Sequence, residues 1–393
     1  MTPDKTNPDK TNPDKTNPDR ATACFLLSKD PVADHGGDVE LSRLVMELAA
    51  QTFEVSAICL SHEPAGTLAF DGVPLVRVAK SGVQPLRLLL DVVRTRRSLV
   101  HARFDNDDLV AAIDAAGADI YVAEHSYMAE SFLRSSRMGK SRFVVNTHVS
   151  ESLVWRATRG VLGRLQVGRL LHDELRVARA ADAVGTFDAE EAQFYRSHGV
   201  RDARWMDITL PPGKQVAVAS TPRRLVLMGT RDWPPNQEAF EEALRLWPRI
   251  AEGIDGAELC VIGAKAANAP EPQYPPGVRD LGFVDDLAGF LGTCRAMIAP
   301  IRTGGGVRVK ILDAARMGLP VVGTTAAVGS LGELLGLGVF DGDAAFIEQC
   351  RKYLLDNAEA AEAGDQLYRL NQRYWTDHRP HRAVAELLGG RSG

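Results

Sequence analysis

From Ala21 onward the chain alternates short, unbroken apolar runs with longer stretches whose apolar positions recur at helical spacing. Runs at 22–28, 54–60, 74–78, 119–123, 142–147 and 183–187 predict strands, each followed by glycine, polar residues or a helical segment. Their apolarity is continuous, not alternating, which predicts burial on both faces and therefore parallel pairing. Around 208–220 the text becomes loop-like, ITLPPGKQVAVAS, and the rhythm restarts with RRLVLMG. The second half predicts strands at 224–228, 258–262, 296–300, 320–323 and 339–340, with helices such as 236–247 and 307–317 between them. The expected fold class is therefore α/β, with two tandem Rossmann-like, doubly wound parallel-sheet domains and a cleft between them. Their predicted limits are 21–215 and 216–375, and 376–393 is expected to be a helix and tail packing back on the first domain. Residues 1–20 repeat a TNPDK unit that cannot bury apolar surface, and are expected to be a disordered tail.

Composition narrows the function classes. At 393 residues the chain exceeds one small module, since domains run to roughly 100–200 residues. With 46 basic and 51 acidic residues the net charge is −5, so no overall positive field exists to hold nucleic acid by its phosphates. The five cysteines form no CxxC pair, and Cys24, Cys59 and Cys260 sit in apolar runs, which reads as buried free thiols. No apolar stretch is long enough to span a bilayer and no apolar signal core opens the chain, so the expected location is cytoplasmic.

The most informative stretch is AMIAPIRTGGGVRVKILDAARMGLPVVGT, residues 296–324. An apolar strand leads into Gly304, Gly305 and Gly306, and then into a helical segment with Val307, Ile311 and Ala315 on one stripe. Strand, glycine loop and helix together suit a phosphate: residues without Cβ let the backbone approach an anion, and the helix N-terminus presents free N–H groups. Arg308 and Lys310, expected in the first turn, add charge for a diphosphate. Asp313, one turn beyond Lys310, is placed to accept ribose hydroxyls. A bare glycine turn with surface charges fits the same pattern.

The segment from GFVDDL to GLPVVGT resembles the nucleotide-sugar site of family 4 glycosyltransferases, which have the GT-B fold. LVLMGTRDWPPN and ELCVIGA resemble strand-end loops of the same domain, HGGDVELSRLVMELAA resembles the N-terminal double-glycine loop, and RFVVNTHVSE resembles a strand ending in an active-site histidine. The resemblance implies a retaining hexosyltransferase that takes a nucleoside diphosphate-sugar and transfers its sugar to a glycan, lipid-linked or small-molecule acceptor, as in cell-envelope glycan or glycolipid synthesis. It implies catalytic roles for His148, Arg231 and Lys310. Donor-binding roles fall on Gly36, Gly37, Val284, Gly304, Gly305, Gly306, Arg308 and Asp313. No cofactor and no obligatory metal are expected. Two departures stand out: the family's first signature glutamate falls on Gly305, and its second is shortened to Asp313. Where a lysine usually follows Arg231 there is Asn236, leaving Lys310 or Lys265 to supply that charge.

Three features carry competing readings. The acidic groups at 105–108 and 285–286 precede apolar helical stretches and are expected to be helix caps, not metal ligands. The arginine-rich stretch 151–179 reads as a solvated helical face, or as a basic amphipathic face in peripheral contact with anionic lipid. Replacement of both signature carboxylates also suits a sugar-nucleotide-binding protein without turnover, and a nucleotide-sugar epimerase would share the tandem architecture.

Overall fold

A computed structural model describes residues 20–390, apart from 81, 83–84, 153–154, 156–159, 266–271 and 304–305. The TNPDK repeats lie outside the described residues. Two sheets organise the chain. The first contains β1 (Thr22–Leu27), β2 (Glu54–Ser61), β3 (Gly66–Phe70), β4 (Val73–Ala79), β5 (Ile120–Glu124), β6 (Arg142–Thr147), β7 (Ala183–Thr186) and β8 (Ala203–Trp205), in the order β3-β4-β2-β1-β5-β6-β7-β8. The second contains β9 (Arg224–Met228), β10 (Glu258–Ile262), β11 (Val278–Gly282), β12 (Ala296–Ala299) and β13 (Val321–Gly323), in the order β11-β10-β9-β12-β13. All described pairings are parallel except β3 with β4.

The unbroken apolarity of the strands has the expected consequence. On β1, Ala23, Phe25 and Leu27 enter the core on one face of the sheet, while Cys24 and Leu26 enter the core on the other. The second sheet and its helices share one core built around Trp247, Leu225, Leu259 and Ile298. All five cysteines are buried and unpaired. The chain leaves the first domain after Met206 and Ile208, and then returns to it. In helix Arg379–Gly389, Val384, Leu387 and Leu388 pack into the first domain's core, and the Leu387 and Glu386 carbonyls accept from Arg142 and Arg204 at 3.2 and 2.7 Å.

Three strands were not anticipated. β3 joins β4 through Asp71 and Gly72, both at positive φ (47° and 80°), which is the Asp-Gly hairpin turn. β8 has three residues, and β11 lies at the sheet edge with Arg279 exposed and Asp280 partly buried. The run at 339–340 makes only an isolated bridge, Val339 to Gly323. The helix expected at 236–247 extends over Pro234–Ala251.

The arginine-rich stretch is not one open face. Arg176 pairs with Glu130 and Asp173, and Arg179 donates to the His198 carbonyl at 2.9 Å. Arg156 and Arg159 lie outside the described residues. Exposed apolar side chains concentrate elsewhere: Leu86, Leu90 and Val93 project to solvent from helix Pro85–Thr95, each at least 69% exposed. No described helix is long and apolar enough to cross a membrane.

Candidate active site

The second domain's contribution begins where β12 ends. Helix Val309–Met317 starts two residues later than its periodicity suggested: Arg308 has non-helical backbone angles (φ −102°, ψ 57°), and the Val307 N–H donates to the His148 carbonyl of the first domain at 2.9 Å. Arg308 therefore occupies the cap position and not the first turn. Gly304 and Gly305 lie outside the described residues. Gly306 adopts φ 74°, and a Cβ there would sit 2.3 Å from the His148 carbonyl oxygen and 2.6 Å from the Val149 Cβ. Only glycine allows the loop to come this close to the first domain.

The four charged candidates of this domain divide into two kinds. Arg231 is buried and makes a two-pronged pair with Asp280 at 2.7 and 3.0 Å, its guanidinium carbon 4.6 Å from the Phe240 ring centre. Burial would raise the Asp280 carboxyl, but Arg231 and the Tyr274 hydroxyl outweigh it and bring the group down to about 2. Lys265 also approaches Asp280, at 3.4 Å. Arg308 crosses to the first domain. Its Nη1 lies 2.6 Å from the Asp188 carboxylate and 2.8 Å from the Gly306 carbonyl, while Ser330 donates to the other Asp188 oxygen at 3.0 Å. Both arginines are thus neutralised by carboxylates.

Lys310 and Asp313 are not. Lys310 donates to the Met228 carbonyl at 3.0 Å and to Asn236 Oδ1 at 2.8 Å, with no carboxylate beside it among the described residues, and burial pushes its ammonium down to about 8. Asn236, at the position of the expected second cation, instead orients Lys310. Asp313 makes no hydrogen bond or ion pair among the described residues, and burial raises its carboxyl to about 6. Val284 packs against the second core at the end of β11, beside Phe283, which is 74% exposed.

From the first domain, Gly36 opens helix Gly37–Ala50 with φ 143°. A Cβ on Gly37 would lie 3.2 Å from Val309 Cγ2, so the double-glycine loop abuts the start of the second domain's helix. His148 follows β6 and is buried, with Nε2 bonded to Glu124. Glu124 also accepts from Ser42 at 3.3 Å and from Asn146 at 3.0 and 3.1 Å. A row of rings runs through the site: Phe104–Tyr127 at 4.3 Å, Tyr127–His125 at 5.0 Å, His125–His148 at 4.5 Å and His148–Phe187 at 5.6 Å. His125 sits at φ 87°, a strained region for a residue with a Cβ, and burial holds its imidazole well below its usual range. At the far end of the row lies a cavity of 860 Å³ lined by Lys80, Arg97, Phe104, Asp105, Asn106 and Arg134.

The structure therefore brings Gly36, Gly37, Gly306, Arg308, Lys310 and His148 to one interdomain seam, and leaves Arg231 engaged with Asp280. Sequence reading missed Glu124, His125 and Asp188; the only local signal for the first two was the pair AEH closing an apolar strand. At 105–108 the cap is Asn106, which accepts from the Asp108 and Leu109 N–H groups, whereas Asp105 and Asp107 pair with Arg134. Asp286 caps its helix as expected, accepting from Gly289 at 2.8 Å. Among the described residues no group of three or more His, Cys, Asp or Glu is placed to hold a metal ion.

Residues 222–357 match the family profile described as Glycosyl transferases group 1. No curated protein matches the sequence. Among solved structures, the chain is similar to sucrose-phosphate synthase from Thermosynechococcus elongatus (16% identity, 93% of this chain and 98% of that one, TM-score 0.69). It is also similar to WaaG, a glycosyltransferase involved in lipopolysaccharide biosynthesis (14%, 94% and 100%, TM-score 0.65). A third is Anabaena HepE in complex with UDP (13%, 94% and 100%, TM-score 0.63). The two-sheet architecture is the GT-B fold, and the profile match in the second domain supports a glycosyltransferase enzyme.

Proposed function

We propose that the protein is a retaining glycosyltransferase that moves a hexose from a nucleoside diphosphate-sugar to an acceptor held by the first domain. The observation that carries this reading is the pair Lys310 and Asp313 on one helix: among the described residues, a cation without a carboxylate beside it, and a largely buried carboxylate with no hydrogen bond or ion pair. Buried charges are costly unless paired, so such a pair is best explained by a ligand that brings an anion for one and hydroxyl donors for the other. A diphosphate and a ribose are those groups, and the HepE structure holds UDP. The diphosphate is assigned to the 304–306 loop and the start of helix Val309–Met317, with Lys310 stabilising the leaving group electrostatically. Arg231 and Arg308 take part by fixing β11 and the interdomain seam, unless the donor displaces their carboxylates. Val284 and Phe283 wall the base, and Gly36 and Gly37 close over the diphosphate. No metal step is invoked.

Among acceptors, the exposed Leu86, Leu90 and Val93 beside exposed Arg94 and Arg96 favour a lipid-linked one met at an anionic surface. Cosedimentation with vesicles containing anionic lipid tests this: binding should fall when Leu90 and Val93 are replaced by Ser.

The main reading is tested by thermal shift with UDP-, GDP- and ADP-sugars, followed by a donor-hydrolysis assay. One donor should raise the melting temperature in proportion to the logarithm of its concentration and be turned over catalytically. A donor held and released unchanged would favour a binding protein, and failure of every nucleotide sugar to bind would remove the assignment.

A further inference from the structure

In the first domain Glu124 meets three side chains, Ser42, Asn146 and His148, and what it holds is one nitrogen of His148. Glu124 ends β5 and is 1% exposed; His148 follows the adjacent β6 and is 3% exposed. Both oxygens of Glu124 accept from Asn146, and Oε2 also accepts from Ser42, so Glu124 acts as an acceptor on every side and the proton of the Glu124–His148 bond is placed on Nε2. Asn146 and Ser42 occupy further lone pairs of the carboxylate, which fixes its orientation. His148 Nδ1 is buried and has no hydrogen-bond partner among the described residues. The neighbouring His125 ring, 4.5 Å away, presents its own Nδ1, which also has no hydrogen-bond partner among the described residues. Such orphans are uncommon in folded proteins and point to something not made of protein.

We infer that Glu124 is a positioning residue that holds His148 as the Nε2–H tautomer, so that Nδ1 is an acceptor reserved for a hydroxyl of the ligand. His148 then cannot stabilise the leaving diphosphate, which offers only oxygen acceptors; it recognises the sugar being transferred or the hydroxyl of its acceptor. The His148 carbonyl receives the Val307 N–H from the glycine loop, which ties this nitrogen's ring to the seam where the donor is placed. The identity of the hydroxyl rests on the glycosyl-transfer reading, but the tautomer does not.

Two measurements on the full chain test the inference. Long-range 15N–1H correlation spectra of histidine-labelled protein, with His148 assigned through His148→Gln, should show the Nε2–H pattern in the free protein at pH 7.5. In Glu124→Gln that pattern should change, because the amide offers a donor to Nε2 in place of a second acceptor. Turnover should fall at least about tenfold, while the donor dissociation constant moves less than about twofold. A protonated Nδ1 in the wild type, or wild-type turnover in a folded Glu124→Gln, overturns the inference; a Glu124→Gln that loses only melting temperature marks Glu124 as structural, which also overturns it. If the wild type turns over no nucleotide sugar, the transferase reading fails alone, and the spectra still decide the tautomer.

Discussion

The two sides of the interdomain seam handle buried charge in opposite ways. On the first-domain side Glu124 is fully buried and saturated: Ser42, Asn146 and His148 all address it. On the second-domain side, among the described residues, Lys310 has only a carbonyl and an amide oxygen, and Asp313 has no hydrogen bond or ion pair, just the more distant charge of Arg316. The saturated group is held so that it can hold something else, whereas the unsaturated pair bears a cost in the free protein that a ligand removes. Arg231 and Arg308 look like donor ligands in the sequence but belong with the saturated kind, since Asp280 and Asp188 already neutralise them. Candidate anion sites are better ranked by which cations lack a carboxylate than by how many cations are present.

The harshest way to break this arrangement is to force the two sides apart. Gly306→Val puts a branched side chain where a Cβ would already lie 2.3 Å from the His148 carbonyl, at a positive φ that alone costs about 1–2 kcal/mol. Turnover should fall at least about a hundredfold, since small misplacements of positioning groups cost that much. The Val307–His148 bond should be lost with it, which would show as a larger radius of gyration by small-angle scattering. A valine variant with normal turnover would mean that the seam is not where the chemistry happens.

Asp313→Asn separates the two sides more finely, because it should improve one property while harming another. Removing a largely buried carboxylate that has no hydrogen bond or ion pair among the described residues should raise the melting temperature of the free protein at pH 7.5. Donor affinity should drop by roughly ten- to a hundredfold, the loss of charged hydrogen bonds worth about 1.5–3 kcal/mol. Glu124→Gln should instead leave the melting temperature unchanged or lower. Calorimetry and thermal melts on both variants check the contrast, and a destabilised Asp313→Asn would show that the carboxylate has a protein partner after all.

How much of this was legible beforehand follows from sequence distance. Lys310 and Asp313 sit three residues apart after a strand and three glycines, so one local pattern located both. The pair Glu124–His148 spans 24 residues and Arg231–Asp280 spans 49, and only the parallel registers of β5 with β6 and of β9, β10 and β11 create them. No spacing in a single chain announces which cation a distant aspartate will neutralise. The Val307–His148 bond before helix Val309–Met317 was hidden in the same way, because the helix's apolar stripe is visible in the sequence but the carbonyl taking the Val307 N–H belongs to the other domain. The β3–β4 hairpin was missed for a different reason: Asp71–Gly72 is a strong turn signal, but the strand before it, GTLAF, is mostly exposed and lacks the apolar run used to find the others.

Asp188 links the two sides and should give a milder effect. It caps helix Ala189–Ser197 by accepting from the Glu190 N–H at 2.8 Å, and it also receives Arg308 and Ser330 across the seam. Asp188→Ala removes all three and frees Arg308. If the ion pair mainly holds the domains together, turnover should fall about five- to tenfold, with a wider radius of gyration. If Arg308 is then free to meet the diphosphate, donor affinity should rise slightly. Unchanged turnover and shape would make the pair incidental.

The smallest effect, about twofold at each edge, is the pH dependence of donor affinity, and its sign follows from the same two groups. Burial raises Asp313 from 3.8 to about 6, so the fold favours its protonated form; that contribution to stability is complete below about 3.8 and is lost as pH rises through about 6. Burial lowers Lys310 from 10.5 to about 8, so the fold favours its neutral form; that contribution is complete above about 10.5 and is lost as pH falls through about 8. Between about 6 and 8 both groups are therefore charged, and the free protein bears both penalties. A diphosphate needs the charged ammonium and ribose hydroxyls need the carboxylate, so donor affinity should be greatest in that same window and halved near each edge, steepening beyond it towards a factor of about ten per pH unit. The melting-temperature rise produced by a fixed donor concentration, measured from pH 5 to 9.5, should peak near 7. Asp313→Asn should flatten the acid limb alone and Lys310→Met the alkaline limb alone. A profile that keeps both limbs in both variants would place the titrating groups away from Lys310 and Asp313 and reverse the assignment of which face of the seam waits for the ligand.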